Sequence, residues 1–256
     1  MSTVYIGIDP TAGRRPMDYA ILNEDLDLVE RGLGSLDKVL EVVRKHPSAF
    51  VAVDAPQSPN AGLMAQPARR KRYGLPRGST TWADHKVCEY ELRRRGIRLY
   101  STPGEVEAAP TWMKLGFKLY GALKADGYRI YKPGLNTQKR LIEVHPHACY
   151  TVLLGRVPLR KDTFEGRLQR QLVLYEEGVR LPDPMIAFEE ITRHHLLEGD
   201  LSLPGLSTHD ELDALVAAYT AFLAASHPER LTLVGDPAEG QIAVPVPPGE
   251  FKDLYR

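Results

Sequence analysis

The chain is poor in cysteine: it has two in 256 residues, Cys88 and Cys149, far apart along the sequence. This excludes a disulfide framework and any zinc site built from paired cysteines, and makes a reducing cytoplasm the expected compartment. No uninterrupted apolar stretch approaches the roughly 20 residues that a membrane-spanning helix needs. The amino terminus has no basic segment followed by an apolar one, so no signal peptide is expected. These absences predict a soluble intracellular protein with no membrane partner.

An excess of charge of either sign is also missing, because 33 Lys and Arg residues balance 33 Asp and Glu residues. Global charge therefore neither favours nor excludes a polyanionic partner, and local charge has to decide. The length suits one α/β core with additions. We expect a single domain over residues 1–256, with a basic loop insertion at about 55–83 and mainly helical additions at about 155–200.

The pattern of apolar residues predicts a β-β-β-α-β start, with strands at 3–8, 18–23, 26–33 and 50–54 and a helix beginning after Ser35. A helix that crosses over the sheet favours a fourth strand parallel to the first. Beyond the loop, the periodicity predicts helices at about 84–95, 109–125, 147–154, 163–177, 185–198 and 208–225. Further strands are predicted at 97–100, 141–144, 231–234 and 241–245.

Two carboxylates, Asp9 and Asp54, end apolar strands, and each is followed by a proline within two residues. Proline cannot donate to a strand ladder, so both strands are expected to stop there. If the strands are parallel neighbours, the two carboxylates meet at one edge of a sheet, where their repulsion is best relieved by a divalent cation. The alternative interpretation is that each Asp only begins a turn before its proline.

Three more acids follow the same pattern of carboxylates beside apolar, element-forming residues: Glu143 on a short strand, and Asp210 and Asp213 on the last long helix. The two helical acids are three residues apart and share a face, whereas Glu211 points elsewhere. Asp213 is continuous with apolar positions and is expected to face inward, where a carboxylate needs a partner or a metal. An acid near a helix start is also favoured by the helix dipole alone.

In this order, the motifs resemble the ribonuclease H-like fold. Three stretches, at 53–56, 142–146 and 210–214, together with 93–97 and 235–242, resemble more closely the predicted ribonuclease-H-like nucleases grouped as domain of unknown function 429 (DUF429). The resemblance implies a mixed sheet flanked by helices and a nuclease dependent on Mg²⁺ or Mn²⁺. The implied catalytic acids are Asp9, Asp54, Glu143, Asp210 and Asp213, and all of them except Glu143 are implied metal ligands.

The chain departs from the ribonuclease H pattern at its first helix, where these enzymes place an acid. Asp37 and Glu41 are available there but are expected on the solvent face, so Glu143 would have to replace that acid from a later strand. In the expected chemistry, carboxylate-bound metal ions stabilise the attacking and leaving oxygens of a phosphodiester and activate water.

A basic run lies in the predicted loop after Asp54, and aromatic residues are interleaved with it. Arginine and lysine bind phosphates and aromatic rings stack on bases, so this run predicts nucleic-acid binding by Arg69, Arg70, Lys71, Arg72 and Arg77. A solvated charge run beside a flexible loop is the alternative. The expected partner is therefore DNA or RNA, and a homodimer stays open as the oligomeric state.

Other function classes remain open at this level. A non-catalytic ribonuclease-H-like binding protein would keep the basic run and lose the metal. A phosphotransferase of the related actin-like fold would need a duplicated domain and a glycine-rich phosphate loop, and neither is seen. Histidines 145, 147, 194, 195 and 209 could contribute to a zinc site, although no His-Glu-x-x-His motif is present.

Overall fold

A computed structural model describes residues 2–11, 15–191, 193–199, 203 and 205–256, apart from the side chains of Glu190 and His194. The chain begins with strands β1 (Val4–Asp9), β2 (Met17–Leu22) and β3 (Leu28–Gly34), helix α1 (Leu36–Arg44) and strand β4 (Ala49–Val53). The predicted β-β-β-α-β start is confirmed. Ser35 caps α1 by accepting a hydrogen bond from the Lys38 amide, and this cap fixes the residue at which the helix begins.

The middle of the chain is mainly helical. It consists of helices α2 (Pro67–Arg72), α3 (Val87–Arg94) and α4 (Thr111–Ala125), strands β5 (Arg129–Ile130) and β6 (Lys139–Val144), and helices α5 (Pro146–Leu154) and α6 (Phe164–Glu176). The last part contains short helices α7 (Ala187–Glu190) and α8 (Arg193–Glu198), the long helix α9 (His209–Ser226), and strands β7 (Thr232–Asp236) and β8 (Gly240–Val244).

The strands form one eight-stranded mixed sheet in the order β3-β2-β1-β4-β6-β8-β7, with β5 pairing with β6. Strands β1, β4, β6 and β8 are parallel neighbours, while β2, β3 and β7 pair antiparallel. The crossover by α1 explains the parallel pairing of β1 with β4. The carboxyl ends of β1, β4 and β6 therefore lie along one edge of the sheet.

Alternate residues of the central strands bury against two helical layers. Tyr5 and Phe50 face a core that includes α9 and part of α5, whereas Ile6 and Val51 face a core that includes α1 and α4. The sheet is thus covered on both faces, as expected for parallel strands that are continuously apolar. No helix of the described residues is long and apolar enough to span a bilayer.

Several predicted elements differ from the structure. The predicted strand at 97–100 is wrong: Ile97 and Leu99 are buried, but this segment joins no ladder. Its backbone bonds instead to the end of α3 and to a histidine, with the Ile97 amide donating to the Leu92 carbonyl and the Arg98 carbonyl contacting His145 Nε2. The alternating apolar residues that predict a strand here are buried, but the segment pairs with no strand of the described residues.

Two further boundaries are corrected. The predicted loop at 55–83 contains a 3₁₀ turn at Leu63–Ala65 and helix α2, so most of the basic run is helical. The predicted helix at 185–198 is divided into a 3₁₀ turn at Pro184–Ile186 and the short helices α7 and α8, because the backbone turns extended at Ile191. Strand β5 has only two residues, too few to give a sequence pattern.

Candidate functional site

Asp9 and Asp54 lie at the carboxyl ends of the neighbouring strands β1 and β4. The two strands pair in parallel with Ile8 opposite Val53, and the Asp54 amide continues the ladder by donating to the Ile8 carbonyl at 2.9 Å. Asp9 is buried, and its Oδ1 accepts a hydrogen bond from the Thr11 amide at 2.9 Å. This turn points the first carboxylate across the edge of the sheet towards the end of β4.

Helix α9 brings Asp210 and Asp213 to the same edge. Thr208 and Glu211 form a reciprocal capping box, so the Glu211 carboxylate is engaged at the helix start and in an ion pair with Arg31. The other two acids face the sheet. Ligand oxygens of Asp9, Asp210 and Asp213 lie within 4.8 Å of one another, the only such acidic, histidine or cysteine group among the described residues.

The close approach of α9 to β1 depends on Gly7. A Cβ atom built on this residue would lie 1.9 Å from the Ala214 carbonyl oxygen and 2.5 Å from the Ala218 amide nitrogen. No side chain can be accommodated there without moving the helix. Gly7 thus sets the distance at which the first turns of α9 hold their carboxylates above the end of β1.

Burial and mutual repulsion dominate the electrostatics of the site. Burial, followed by the charges of Asp54 and Asp213, raises the pKa of Asp9 well above its ordinary value. The pKa of Asp54 is also raised well above its ordinary value, first by burial and then by Asp213. The site therefore holds carboxyl groups that ionise only at a cost, which a bound cation would remove.

Lys161 is a cation that the sequence pattern did not reveal at this site. It lies between α5 and α6, and its Nζ is 2.5 Å from Asp213 Oδ2. Burial alone would lower its pKa, but the carboxylates of Asp213, Asp9 and Asp54 outweigh burial and raise it. No local signal distinguishes this lysine from the basic residues beside it; only the packing of the α5–α6 connection brings it here.

Asp18 is a second residue that sequence reasoning missed. It lies opposite Asp9 in the antiparallel pair of β1 and β2 and is buried. Burial, then the charges of Asp210, Glu211 and Asp213, raise its pKa to about 7. A carboxylate within an otherwise apolar strand was the available signal, and antiparallel pairing with β1 made it relevant.

Glu143 lies on β6, one strand beyond β4, and the structure does not place it in the three-carboxylate group. Its Oε2 accepts a hydrogen bond from the Gln57 amide at 3.0 Å. Burial raises its pKa to about 7, although Lys86 and the Gln57 amide act in the opposite direction. Glu143 therefore belongs to a neighbouring buried group, with Lys86 as its nearby cation, and it fixes the segment after Asp54 by its hydrogen bond to the backbone amide of Gln57.

That neighbouring group also accounts for part of the 235–242 motif. Glu239, in the turn between β7 and β8, is buried and accepts hydrogen bonds from the amides of Ala61, Leu63 and Val87. One carboxylate thus fastens the start of the 55–83 segment and the start of α3 to the sheet. This is a structural role for an acid that sequence reasoning named only as part of a motif.

The histidines do not assemble a zinc site among the described residues. His145 Nδ1 lies 3.6 Å from Asp54 Oδ1, and the rings of His145 and His147 are 6.2 Å apart. Burial lowers the pKa of both to about 4, so both rings are neutral at pH 7. His209 Nδ1 lies 2.7 Å from Asp210 Oδ1. The side chain of His194 lies outside the described residues, and His195 lies on α8.

The basic run is separated into buried and exposed residues. Arg70 is only 8% exposed and donates to the carbonyls of Met64 and Thr81, so it stabilises its own segment. Arg69 pairs with Asp236 at 2.6 Å. Lys71, Arg72 and Arg77 are exposed. A cavity of about 710 Å³ beside α2 shares no lining residue with the cavities at the acidic site.

The interleaved aromatic residues are also engaged within the protein. The ring of Tyr90 on α3 makes edge contacts with Tyr73 and Trp82, at centroid distances of 5.0 and 5.6 Å. Together with Met64 and Val87, these rings form a small apolar cluster. Their spacing among basic residues therefore reflects packing of the 55–83 segment onto α3.

Comparison with known proteins gives a family and nothing finer. No curated protein and no solved structure matches the chain. One family model does match, over residues 7–239, and its description is "Protein of unknown function (DUF429)". The match begins within β1 and ends at Glu239, so it includes Asp9, Asp54 and the acids of α9. The chain therefore belongs to the DUF429 family.

Proposed function

We propose that the protein is a nuclease that hydrolyses phosphodiester bonds of DNA or RNA with a bound divalent cation. The observation that carries the proposal is the meeting of Asp9, Asp210 and Asp213 within 4.8 Å at the edge of the sheet, beside Asp54. Carboxylate oxygens are the ligands that Mg²⁺ and Mn²⁺ prefer. The strand order and the position of the acids support a ribonuclease H-like assignment of the fold.

The residues present fit a divalent cation. Asp9, Asp210 and Asp213 would hold it, and Asp54 would add negative charge at the end of β4. The raised pKa values of Asp9 and Asp54 fit this role, because neighbouring carboxylates that share a cation site repel each other when no cation is bound. When bound, such an ion supplies Lewis acidity towards a phosphodiester oxygen and lowers the pKa of water. Glu143 is placed to support the segment after Asp54 rather than to bind the ion.

The side chains around the carboxylates would complete the site. Lys161 carries a positive charge within reach of Asp213, where it can also contact a non-bridging phosphate oxygen. His145 is neutral, and its Nε2 donates to the Arg98 carbonyl, so the Nδ1 beside Asp54 is left as a hydrogen-bond acceptor. Asp9 and Asp213 are buried, where the effective dielectric constant is lower than in water. Their electrostatic interactions with a bound ion would therefore be stronger than those of exposed carboxylates.

A second candidate function is a non-catalytic, ribonuclease-H-like nucleic-acid-binding protein. Lys161 favours it, because its ammonium already supplies a positive charge to Asp213, Asp9 and Asp54. In that case the carboxylates would serve the fold and nucleic acid would bind elsewhere. Metal affinity separates the two candidates.

The test is Mn²⁺ titration calorimetry together with a cleavage assay on single- and double-stranded DNA and RNA. Asp9→Asn is expected to remove Mn²⁺ binding without unfolding the chain, because it removes a ligand and relieves repulsion at once. Asp213→Asn is expected to abolish cleavage while its melting temperature in EDTA stays equal or rises. Asp25→Asn, in the exposed turn between β2 and β3, is the matched control.

Two results would contradict the nuclease proposal. Equal Mn²⁺ affinity in the wild type and in Asp9→Asn would show that the ion does not bind at this carboxylate. A lower melting temperature of Asp213→Asn with unchanged cleavage would make Asp213 a structural acid, whose lost hydrogen bond costs about 1–3 kcal/mol.

A further inference from the structure

A cavity opens directly beside the carboxylates. It has a volume of about 810 Å³ and lies between the segment after α3, the start of α5, the α5–α6 connection and α6. Its charged lining residues are Asp54, Asp213, Arg98, Arg160, Lys161 and Arg170. A volume of this size is typical of pockets that hold a small ligand.

The positive charges of this cavity are not all neutralised within the protein. Arg160 pairs with Asp162 at 2.8 Å, and Lys161 pairs with Asp213. Arg98 is exposed, and its guanidinium makes no hydrogen bond or ion pair with any described residue. Two of the four cations therefore have carboxylate partners, and Arg98 and Arg170 do not.

Arg170 gives this cavity a built-in anion-binding group. It is 2% exposed, and its Nη1 donates to the carbonyls of Leu159 and Gly166 at 2.8 and 2.9 Å. Its Nε is buried without a hydrogen-bond partner, although a buried N–H left unpaired is costly. The guanidinium also lies over the Tyr150 ring, with Cζ 5.3 Å from the ring centroid. Arg170 therefore adds a fixed positive charge to the lining of the cavity, and phosphate is an anion that guanidinium groups bind well.

A second cavity, of about 500 Å³, continues from the first across the carboxylates. It is lined by Asp9, Asp210, Arg15 and Trp112, and it shares Asp54, Tyr100, His145 and Lys161 with the first cavity. The hydroxyl of Tyr100 and Nδ1 of His145 are buried at this junction without hydrogen-bond partners. The carboxylates thus lie where two cavities meet, and unpaired polar groups face both.

From these observations we infer that the cavity lined by Arg98 and Arg170 binds the phosphate of a terminal nucleotide, and that the protein acts at the end of a single strand and not within an intact duplex. This inference rests on the proposed function, since it names the substrate of the same site. A duplex is bound across a broad open surface that buries roughly 1,000–2,500 Å² of protein. Two small connected cavities instead suit the last nucleotides at the end of a single strand.

Phosphate contacts are therefore expected at Arg98 and Arg170 and not at the basic run at 69–77. Arg98 and Arg170 line a cavity that reaches Asp54 and Asp213, whereas the cavity beside α2 shares no residue with it. Phosphate contacts position a strand for chemistry only if they lie close to the reacting group. Variants of Arg98 and Arg72 therefore separate the two surfaces.

The test measures binding in EDTA, so that it does not depend on a metal. The probes are thymidine 3′,5′-bisphosphate, a short 5′-phosphorylated single-stranded oligonucleotide and its blunt duplex. Arg98→Gln is expected to weaken binding of the first two probes by about tenfold, the ratio for loss of one charge-assisted hydrogen bond. Arg129→Gln, on exposed β5, and Arg72→Gln are the matched controls and should leave both affinities unchanged.

Arg170→Gln should weaken binding at least as much, and its melting temperature shows whether the fold persists; Arg98→Gln decides the question if it does not. Equal affinity of the bisphosphate and the oligonucleotide identifies a free nucleotide as sufficient ligand, and tighter binding of the oligonucleotide identifies a strand end. Both outcomes support the cavity.

Three results would overturn the inference: unchanged affinity in Arg98→Gln, an equal loss in Arg72→Gln, or duplex binding as tight as the single strand. The outcome is separable from that of the proposed function. If binding depends on Arg98 but no Mn²⁺-dependent cleavage is found, the nuclease proposal is refuted and the phosphate-binding role of the cavity stands. If Arg98→Gln cleaves with unchanged KM and binds with unchanged affinity, the phosphate-binding role of the cavity is refuted and the nuclease proposal stands.

Discussion

Replacing Asp18 with Asn should stabilise the metal-free protein, and the gain should appear only as the pH rises. Asp18 is 6% exposed, and burial together with Asp210, Glu211 and Asp213 raises its pKa from 3.8 to about 7. Asparagine keeps the shape of the side chain but cannot ionise. The variant therefore removes one charge from a repulsive group without opening a cavity.

The sign and size follow from linkage between ionisation and folding. Well below pH 3.8 the carboxyl is protonated in both states, so it has no effect on the free energy of unfolding. Between pH 3.8 and about 7 the unfolded chain releases its proton while the folded chain keeps it, and stability falls. This pKa difference corresponds to about 4 kcal/mol at high pH, at about 1.4 kcal/mol for each pH unit. The asparagine amide must still be buried, so we expect a gain of about 1–4 kcal/mol.

The measurement is urea unfolding in EDTA at about pH 4, 6 and 8, for the wild type, Asp18→Asn and the exposed control Asp25→Asn. Asp18 lies opposite Asp9 and is repelled by acids of α9, so the difference between wild type and Asp18→Asn contains both the ionisation of Asp18 and its repulsion of these neighbours. The advantage of Asp18→Asn should be smallest at the lowest pH and largest at the highest. An advantage that is equal at all three pH values, or one that Asp25→Asn shares, would refute the reasoning.

Gly7→Ala should destabilise the fold by about 1–3 kcal/mol or more, because its Cβ would meet the Ala214 carbonyl oxygen at 1.9 Å. In urea unfolding, Gly121→Ala, which meets nothing within 4 Å on α4, should instead be neutral or stabilising, and equal effects of the two changes would contradict the close approach of α9. Arg70→Ala should lower the free energy of unfolding by about 1–3 kcal/mol because its two carbonyl partners lose a buried donor, whereas Arg72→Ala should change little. A larger loss in Arg72→Ala in thermal melts would show that the run is not divided as the structure has it.

Much of the carboxylate site could be predicted because its signals are local. Asp9 and Asp54 each close an apolar strand before a proline, and the crossover by α1 makes those strands parallel neighbours. Asp210 and Asp213 lie three residues apart near the start of a helix and share a helical face. Chain direction and helical period decided these features, and both can be read from neighbouring residues.

Glu143 and the basic run show where local signals fail. Glu143 is the second-last residue of β6, and Asp54 directly follows β4. Glu143 lies one strand further along, however, and its carboxylate accepts a hydrogen bond from the backbone amide of Gln57. Arg70 has the same sequence signal as Arg72, yet it is buried against carbonyls. A residue type indicates what chemistry is available, and the partner that it meets depends on how distant segments pack.

The sequence by itself determined the order of the main elements, the parallel pairing of the first and fourth strands and four acids of the candidate site, because periodicity, capping and proline act over a few residues. Only the tertiary structure decided that Asp18 opposes Asp9, that Lys161 reaches Asp213 and that Arg98 and Arg170 share a cavity. These contacts join different elements of the chain, and their geometry is set by the pairing of β1 with β2 and by the packing of α6 on α9 and of α9 against the sheet. No local pattern encodes such distances, since they follow from shape complementarity across the whole core.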